Sequence, residues 1–188
     1  DIDYRPNLWG LAGHAEGFER YVKSDRVSSL MRSVLPDCDL IVGTEEEIMI
    51  ASGVDDVLGS LKAIRAVTPA TIVLKRGAMG CVVYDGEISD DLEDGIVGQG
   101  FPIEVYNVLG AGDAFMSGLL RGWLKGEDHK TSATWANACG AFAVSRLLCA
   151  PEYPTWEELQ YFLKNGSKFK ALRKDETISH IHWATTRR

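Results

Sequence analysis

Alternating short apolar runs and amphipathic stretches predict an α/β fold. Apolar, partly β-branched runs at residues 39–43, 70–74 and 81–84 are typical of buried strands, and a turn flanked by Gly77 and Gly80 separates the last two. Stretches of helical length alternate with these runs, at residues 17–35, 55–67, 114–125 and 131–148 and after Thr44 and Thr155. This order favours a layered α/β/α structure with a mostly parallel central sheet.

Two helix starts have a clear local signature. Thr44 is followed by three glutamates that end at Glu47, and Thr155 is followed three residues later by Glu158. A threonine with a glutamate at the third helical position is typical of an N-terminal capping box. Both segments are therefore predicted to begin helices, and capping is one interpretation of the Glu45–Glu47 cluster.

Composition narrows the class of protein. The 188 residues are 45% hydrophobic and 25% charged, with a net charge of -7, as in ordinary globular domains. The acidic balance argues against a general nucleic-acid binder or an anionic-membrane binder. The four cysteines form no CxxC pair, and three lie in apolar stretches, which fits free thiols in a reducing, cytoplasmic compartment.

The ends of the chain suggest its organisation. Residues 1–5 resemble the exit of a buried strand, and we expect a fragment that lacks an N-terminal portion. Residues 85–94 are acidic and predict a solvated loop, whereas residues 166–188 are rich in Lys and Arg. We predict one domain over residues 1–165, followed by a basic C-terminal tail or linker at 166–188.

The sequence Gly110-Ala111-Gly112-Asp113 at the start of a helix is the sharpest chemical feature. Backbone N–H groups at a helix N-terminus attract anions, and glycines allow a close approach. A carboxylate there can accept a proton from a hydroxyl group while the N–H groups stabilise a developing phosphoryl charge. The alternative is a tight turn in which Asp113 only stabilises the helix.

Other patterns are weaker. Phe115 stands where a complete GxGxxG fingerprint needs its last glycine, which argues against a nicotinamide-dependent dehydrogenase, and no Walker P-loop is present. Residues 75–80 place Lys75, Arg76 and two glycines at a strand end, which suits a phosphate or a plain turn. The Glu45–Glu47 cluster suits either helix capping or water-mediated Mg²⁺ binding.

Taken in order, these motifs resemble the C-terminal two-thirds of a ribokinase/PfkB-type carbohydrate kinase. The core of the resemblance is Val108-Leu-Gly-Ala-Gly-Asp-Ala-Phe115, and it extends over about residues 1–165. The segments Asp-Ile-Asp-Tyr-Arg-Pro near the start and Tyr153-Pro-Thr-Trp-Glu-Glu further on resemble members that phosphorylate the sugar acid 5-dehydro-2-deoxy-D-gluconate in myo-inositol breakdown. The fold implied is ribokinase-like, without the N-terminal strands and the β lid.

The resemblance implies ATP-dependent phosphorylation of a primary sugar hydroxyl with Mg²⁺. Asp113 matches the catalytic base, and Gly110, Ala111 and Gly112 match the backbone anion hole. The remaining implied roles are nucleotide contacts for Lys75, Gly77, Gly80 and Asn137, a sugar-acid or phosphate contact for Arg5, and water-mediated metal contacts for Glu47 and Thr44. Its expected partners are ATP and a sugar acid, without nucleic acid or membrane, and a homo-oligomer is expected for the full-length protein.

Three departures from the family pattern matter. Thr44 stands where the family usually has Asn, and Asn107-Val108 stand where the signature often begins Asp-Thr, which puts activation by a monovalent cation in doubt. The family's N-terminal sugar site is also missing from these residues. Alternatives are therefore an inactive fragment that retains only nucleotide binding, or a kinase for ribose, fructose or 2-keto-3-deoxygluconate.

Overall fold

The computed structural model describes residues 1–11 and 21–178, and within them it contains four strands and six α-helices. The strands are β1 (Leu40–Thr44), β2 (Thr71–Lys75), β3 (Gly80–Tyr84) and β4 (Ile96–Gln99). The helices are α1 (Asp25–Val34), α2 (Glu45–Ser52), α3 (Val57–Arg65), α4 (Ala111–Lys125), α5 (His129–Val144) and α6 (Trp156–Asn165). Within these described residues, no helix is long and apolar enough to cross a membrane.

The four strands form one sheet in the order β1-β2-β3-β4. Strands β1 and β2 are parallel, with Leu40 opposite Thr71 and Thr44 opposite Lys75. Strands β2 and β3 are antiparallel, since only a short turn at residues 76–79 joins them and a parallel pair needs a long crossover. The carboxyl ends of β1 and β2 therefore lie at the same edge of the sheet.

The chain divides into two compact units, unit 1 (Asp1–Gly77 and Cys81–Val97) and unit 2 (Ala78–Gly80 with the described residues from Gly98 onward). The core of unit 1 packs α2 and α3 against the sheet. Ile48, Leu61, Ile72 and Leu74 are fully buried in it. Since every residue of β2 before Lys75 is buried, the prediction of a buried strand at residues 70–74 is confirmed.

The core of unit 2 is built on the close pair α4 and α5. A Cβ atom on Gly118 would lie 2.6 Å from the backbone oxygen of Trp135, so a glycine at this position allows the two helices to approach. Phe142 of α5 is fully buried and packs edge-to-face on Phe162 of α6, with ring centroids 5.2 Å apart.

Part of the segment predicted as a basic tail belongs to this core. Leu172 and Ile178 are both fully buried, and Arg146 donates to the Ile178 carbonyl. The sequence did not indicate their burial because the segment is rich in Lys and Arg. Such long side chains can cover apolar neighbours while their charged ends stay in solvent. Residues 179–188 of the predicted tail lie outside the described residues.

Several predicted boundaries shift. Helix α4 begins at Ala111 rather than Ala114, and α5 ends at Val144 rather than Leu148. Of the predicted 17–35 helix, α1 covers Asp25–Val34, residues 21–24 are not helical, and residues 17–20 lie outside the described residues. Both predicted capping boxes are confirmed, at Thr44 with Glu47 and at Thr155 with Glu158.

Candidate active-site elements

The turn before α4 has a well-defined backbone geometry. Gly110 is the N-cap of α4 and adopts the left-handed conformation, with φ 78° and ψ 3°. Its carbonyl accepts the first helical hydrogen bond from Ala114 N at 3.0 Å. Ala111 N donates to the Val108 carbonyl at 3.3 Å, which closes the turn on its other side. The predicted Gly-Ala-Gly-Asp segment is therefore the N-cap and the beginning of the first turn of α4.

Asp113 lies in the first turn of α4 and is exposed to solvent. The first backbone N–H groups of an α-helix have no acceptor within the helix, and the positive end of the helix dipole lies beside them. An exposed carboxylate next to such N–H groups can receive a proton from a hydroxyl group at a place where the backbone stabilises an anion. This turn can therefore assist the transfer of an anionic group to a hydroxyl.

Tyr153 contacts this turn, although in the sequence it stood out only as part of the family resemblance. Its hydroxyl donates to the Gly110 carbonyl at 2.6 Å, and the thiol of Cys149 lies 3.5 Å from the Leu109 carbonyl. Burial and the negative charge of Asp113 raise the pKa of Tyr153, so the phenol remains a hydrogen-bond donor. No sequence spacing indicated this contact, since the two residues are far apart along the chain.

The carboxyl ends of β1 and β2 bring together three predicted site residues in unit 1. Glu47 is buried, and its Oε2 accepts from Thr44 N at 2.8 Å within the capping box. Lys75 Nζ lies 3.5 Å from the same oxygen and 2.8 Å from the carboxylate of Asp1. A basic side chain at this edge of the sheet is thus held between two carboxylates.

The predicted nucleotide residues belong to both units, with Lys75 and Gly77 in unit 1 and Gly80 and Asn137 in unit 2. Gly80 and Asn137 both contact the carbonyl of Gly98 in unit 2: the Asn137 amide donates to it at 3.0 Å, and a Cβ on Gly80 would collide with it. The glycine at position 80 is therefore required by close backbone approach. Gly77 belongs to unit 1 and is exposed, with open space around it.

Arg5 is exposed and forms an ion pair with Asp3 at 2.7 Å. Asp3 has a φ of 36°, in the region that a residue with a side chain adopts only at a cost. The guanidinium is thus paired with the Asp3 carboxylate and is also exposed to solvent. Within residues 1–11 and 21–178, no group of three or more His, Cys, Asp or Glu side chains forms a metal-binding cluster.

Comparisons with known proteins test the resemblance that the sequence motifs indicated. The family model described as "pfkB family carbohydrate kinase" matches residues 11–156. The chain is 23% identical to the 5-dehydro-2-deoxygluconokinase of Bacillus subtilis over 173 residues, which is 89% of this chain and 47% of that protein.

Solved structures show the same fold. A fructokinase from Vibrio cholerae, in its fructose-, ADP- and calcium-bound form, is 29% identical with a TM-score of 0.59, over 72% of this chain and 44% of that one. A putative ribokinase II from E. coli, in complex with ATP and Mg²⁺, is 23% identical with a TM-score of 0.63, over 72% of this chain and 42% of that one. The chain spans about half the length of the curated relatives that it matches.

Proposed function

The chain belongs to the pfkB family of carbohydrate kinases, and from this membership we propose that it transfers the γ-phosphoryl group of ATP to a primary hydroxyl of a sugar. The observation that supports this most directly is the exposed carboxylate of Asp113 in the first turn of α4, next to the Gly110 turn. Phosphoryl transfer depends on positioning and on neutralising charge more than on covalent chemistry, and this arrangement supplies both.

In the proposed reaction, Asp113 accepts the proton of the attacking sugar hydroxyl. Its first-turn position is one that a reacting group can reach from solvent. We assign the stabilisation of charge on the transferring phosphoryl group to the backbone N–H groups of Gly110, Ala111 and Gly112, of which that of Ala111 also donates to the Val108 carbonyl at 3.3 Å.

The nucleotide contacts are assigned residue by residue. We assign Lys75, whose side chain is largely buried between Asp1 and Glu47, to the phosphates of ATP, together with the Gly77 and Gly80 turn. Asn137 is assigned to the adenine side, and its amide also donates to the Gly98 carbonyl at 3.0 Å.

Magnesium is assigned an outer position. Glu47 Oε2 is already engaged by the Thr44 backbone and by Lys75, so this carboxylate fits a water-mediated contact better than direct coordination. Mg²⁺ in kinase sites is commonly held by substrate phosphates and water together with one or two carboxylates. Thr44 and Glu47 are the residues that would hold it through water, and when bound it would neutralise the charge of the phosphates.

The proposed acceptor is the sugar acid 5-dehydro-2-deoxy-D-gluconate, in inositol breakdown. Support comes from the similarity to the kinase of that name, and from Arg5, whose exposed guanidinium suits a carboxylate. Fructose is the second candidate, because a fructokinase from Vibrio alginolyticus is 25% identical over 86% of this chain.

Substitution of Asp113 tests the proposed transfer. In a coupled ADP-release assay with a panel of sugars and sugar acids, Asp113→Asn should lower kcat by ~10²-fold or more, because the general base is lost. Affinity for Mg·ATP, measured by calorimetric titration, should stay within about twofold. Asp25→Asn is the matched control, since Asp25 is an exposed acid in the first turn of α1 and should change neither quantity.

The outcomes separate two functions. An Asp113→Asn variant that keeps more than about a tenth of the wild-type kcat would contradict the assignment of the base. Binding of Mg·ATP without turnover on any acceptor would instead favour a nucleotide-binding module, an alternative suggested by the share of its relatives that the chain spans.

A further inference from the structure

The carbonyl of Gly110 is held by two donors. It accepts from Ala114 N at 3.0 Å, which is the first helical hydrogen bond of α4, and from the Tyr153 hydroxyl at 2.6 Å. A carbonyl with two donors on it has little freedom to rotate, and the peptide group that contains it also contains the N–H of Ala111. The orientation of the turn therefore depends on a side chain outside it.

A second segment of unit 2, residues 144–153, bonds to residues 106–109 just before this turn, in addition to the contact of Tyr153 with Gly110. The Val144 carbonyl accepts from the backbone N–H groups of Tyr106 and Asn107, at 2.6 and 3.0 Å. The Asn107 amide donates to the Leu147 carbonyl at 2.7 Å, and its own oxygen accepts from Leu109 N at 3.1 Å. We call residues 144–153 the clasp segment.

Tyr153 is itself held in place on both sides. Its backbone N–H donates to the Ala150 carbonyl at 3.2 Å, and the Thr155–Glu158 capping box that begins α6 follows two residues later. Arg146, which is buried, donates to the Glu152 carbonyl. The phenol is thus presented from a rigid base, as a group that positions another group must be.

We infer that Tyr153 is a positioning residue for the phosphoryl-transfer turn: its hydroxyl, by holding the Gly110 carbonyl, orients the backbone N–H groups and Asp113 toward the transferring group. This inference rests on the proposed function. Tyr153 does not touch substrate in this scheme, and it acts only through the turn. Small displacements of groups that surround a transition state are costly, so its loss should affect the reaction more than ground-state binding.

Tyr153→Phe tests the inference, because it removes the hydroxyl and keeps the ring. We expect kcat to fall by about tenfold, less than the loss of an anion-hole donor itself, while the KM for ATP stays within about twofold. Hydrogen exchange of the backbone amides of residues 108–114 should become faster, since the turn loses one of its tethers. Tyr161→Phe is the matched control, because Tyr161 is a partly exposed tyrosine on α6 and should change none of these quantities.

The measurements on Tyr153→Phe distinguish a positioning role of Tyr153 from a purely structural one. A purely structural role would lower the melting temperature of Tyr153→Phe and leave kcat unchanged at temperatures where the variant is folded, and this would overturn the inference. Unchanged kcat together with unchanged exchange would also overturn it. If the wild-type chain transfers no phosphoryl group to any acceptor, the proposed function fails, and exchange alone then decides whether Tyr153 orients the turn.

Discussion

Gly110 and Gly126 stand at the two ends of helix α4 and have nearly the same backbone conformation. Their φ angles are 78° and 74°. A Cβ on Gly110 would lie 2.6 Å from the Tyr153 hydroxyl and 3.0 Å from the Cys149 Cβ, whereas a Cβ on Gly126 would meet nothing within 4 Å. Replacing each glycine with alanine therefore separates the cost of the left-handed conformation from the cost of crowding the clasp segment.

The structure gives the expected magnitudes. An alanine in the left-handed conformation costs about 1–2 kcal/mol, and this applies equally at both ends of the helix. At Gly110 the Tyr153 hydroxyl must also move, which breaks its hydrogen bond to the Gly110 carbonyl at a further cost of about 1 kcal/mol. We expect Gly110→Ala to lower the free energy of unfolding by about 2–3 kcal/mol, and Gly126→Ala by about 1 kcal/mol less than that.

Urea unfolding of both variants measures this difference. Tryptophan fluorescence is a suitable probe because Trp135 and Trp156 belong to unit 2 and pack against each other, with ring centroids 4.8 Å apart. Comparison of the midpoints is valid where the slopes are equal. In a Tyr153→Phe background the extra cost of Gly110→Ala should shrink, because no hydroxyl remains to be displaced.

Equal losses of stability for Gly110→Ala and Gly126→Ala would refute this reasoning. They would mean that the clasp segment moves away from a new side chain at no cost in free energy, and therefore does not fix the position of the turn. An undiminished extra cost in the Tyr153→Phe background would refute the role of the hydroxyl and assign the crowding to Cys149 instead.

Two further predictions concern side chains near each candidate element. Burial raises the pKa of Tyr84, whose hydroxyl donates to the Leu92 carbonyl at 2.7 Å, to about 12. Because an unfolded tyrosine ionises near pH 10, the stability due to this group is complete below about pH 10 and is lost as the pH rises through about 12. Tyrosinate absorbance should show this late ionisation, and Tyr84→Phe should remove it; ionisation with the exposed tyrosines would contradict the prediction. The side-chain amide of Asn107 donates to the Leu147 carbonyl, and we expect no activation by a monovalent cation. Turnover should therefore change by less than about twofold when K⁺ replaces tetramethylammonium at constant ionic strength. A larger activation would indicate a cation site.

Features that depend on neighbouring residues were predictable from the sequence. The capping boxes at Thr44 and Thr155 were predicted from four-residue patterns, and the structure contains both. The turn at Gly110–Asp113 is equally local, although α4 begins three residues earlier than its apolar periodicity indicated. The periodicity reports only the buried face of a helix, and the three residues from Ala111 to Asp113 are partly or fully exposed.

Contacts between distant residues were not predictable. Nothing in the spacing of Tyr153 and Gly110 indicates a hydrogen bond, and the burial of Leu172 and Ile178 is hidden in a basic segment. The close approach of Gly80 and Asn137 to the Gly98 carbonyl is equally invisible in the spacing of these three residues. Such contacts depend on how elements pack in three dimensions, which periodicity in one sequence does not encode.

Glu47 illustrates a different limit, because both interpretations of its pattern use the same carboxylate. In the capping box, Glu47 Oε2 accepts a hydrogen bond from Thr44 N, as the structural interpretation requires. Glu47 also follows the carboxyl end of β1, and ligands of open α/β sheets bind at the carboxyl ends of the strands. The decisive neighbour is Lys75, at the end of the adjacent parallel strand, whose ammonium lies 3.5 Å from that oxygen. A capping pattern after a strand therefore predicts where a carboxylate lies, whereas its chemistry depends on the charge that strand pairing brings beside it.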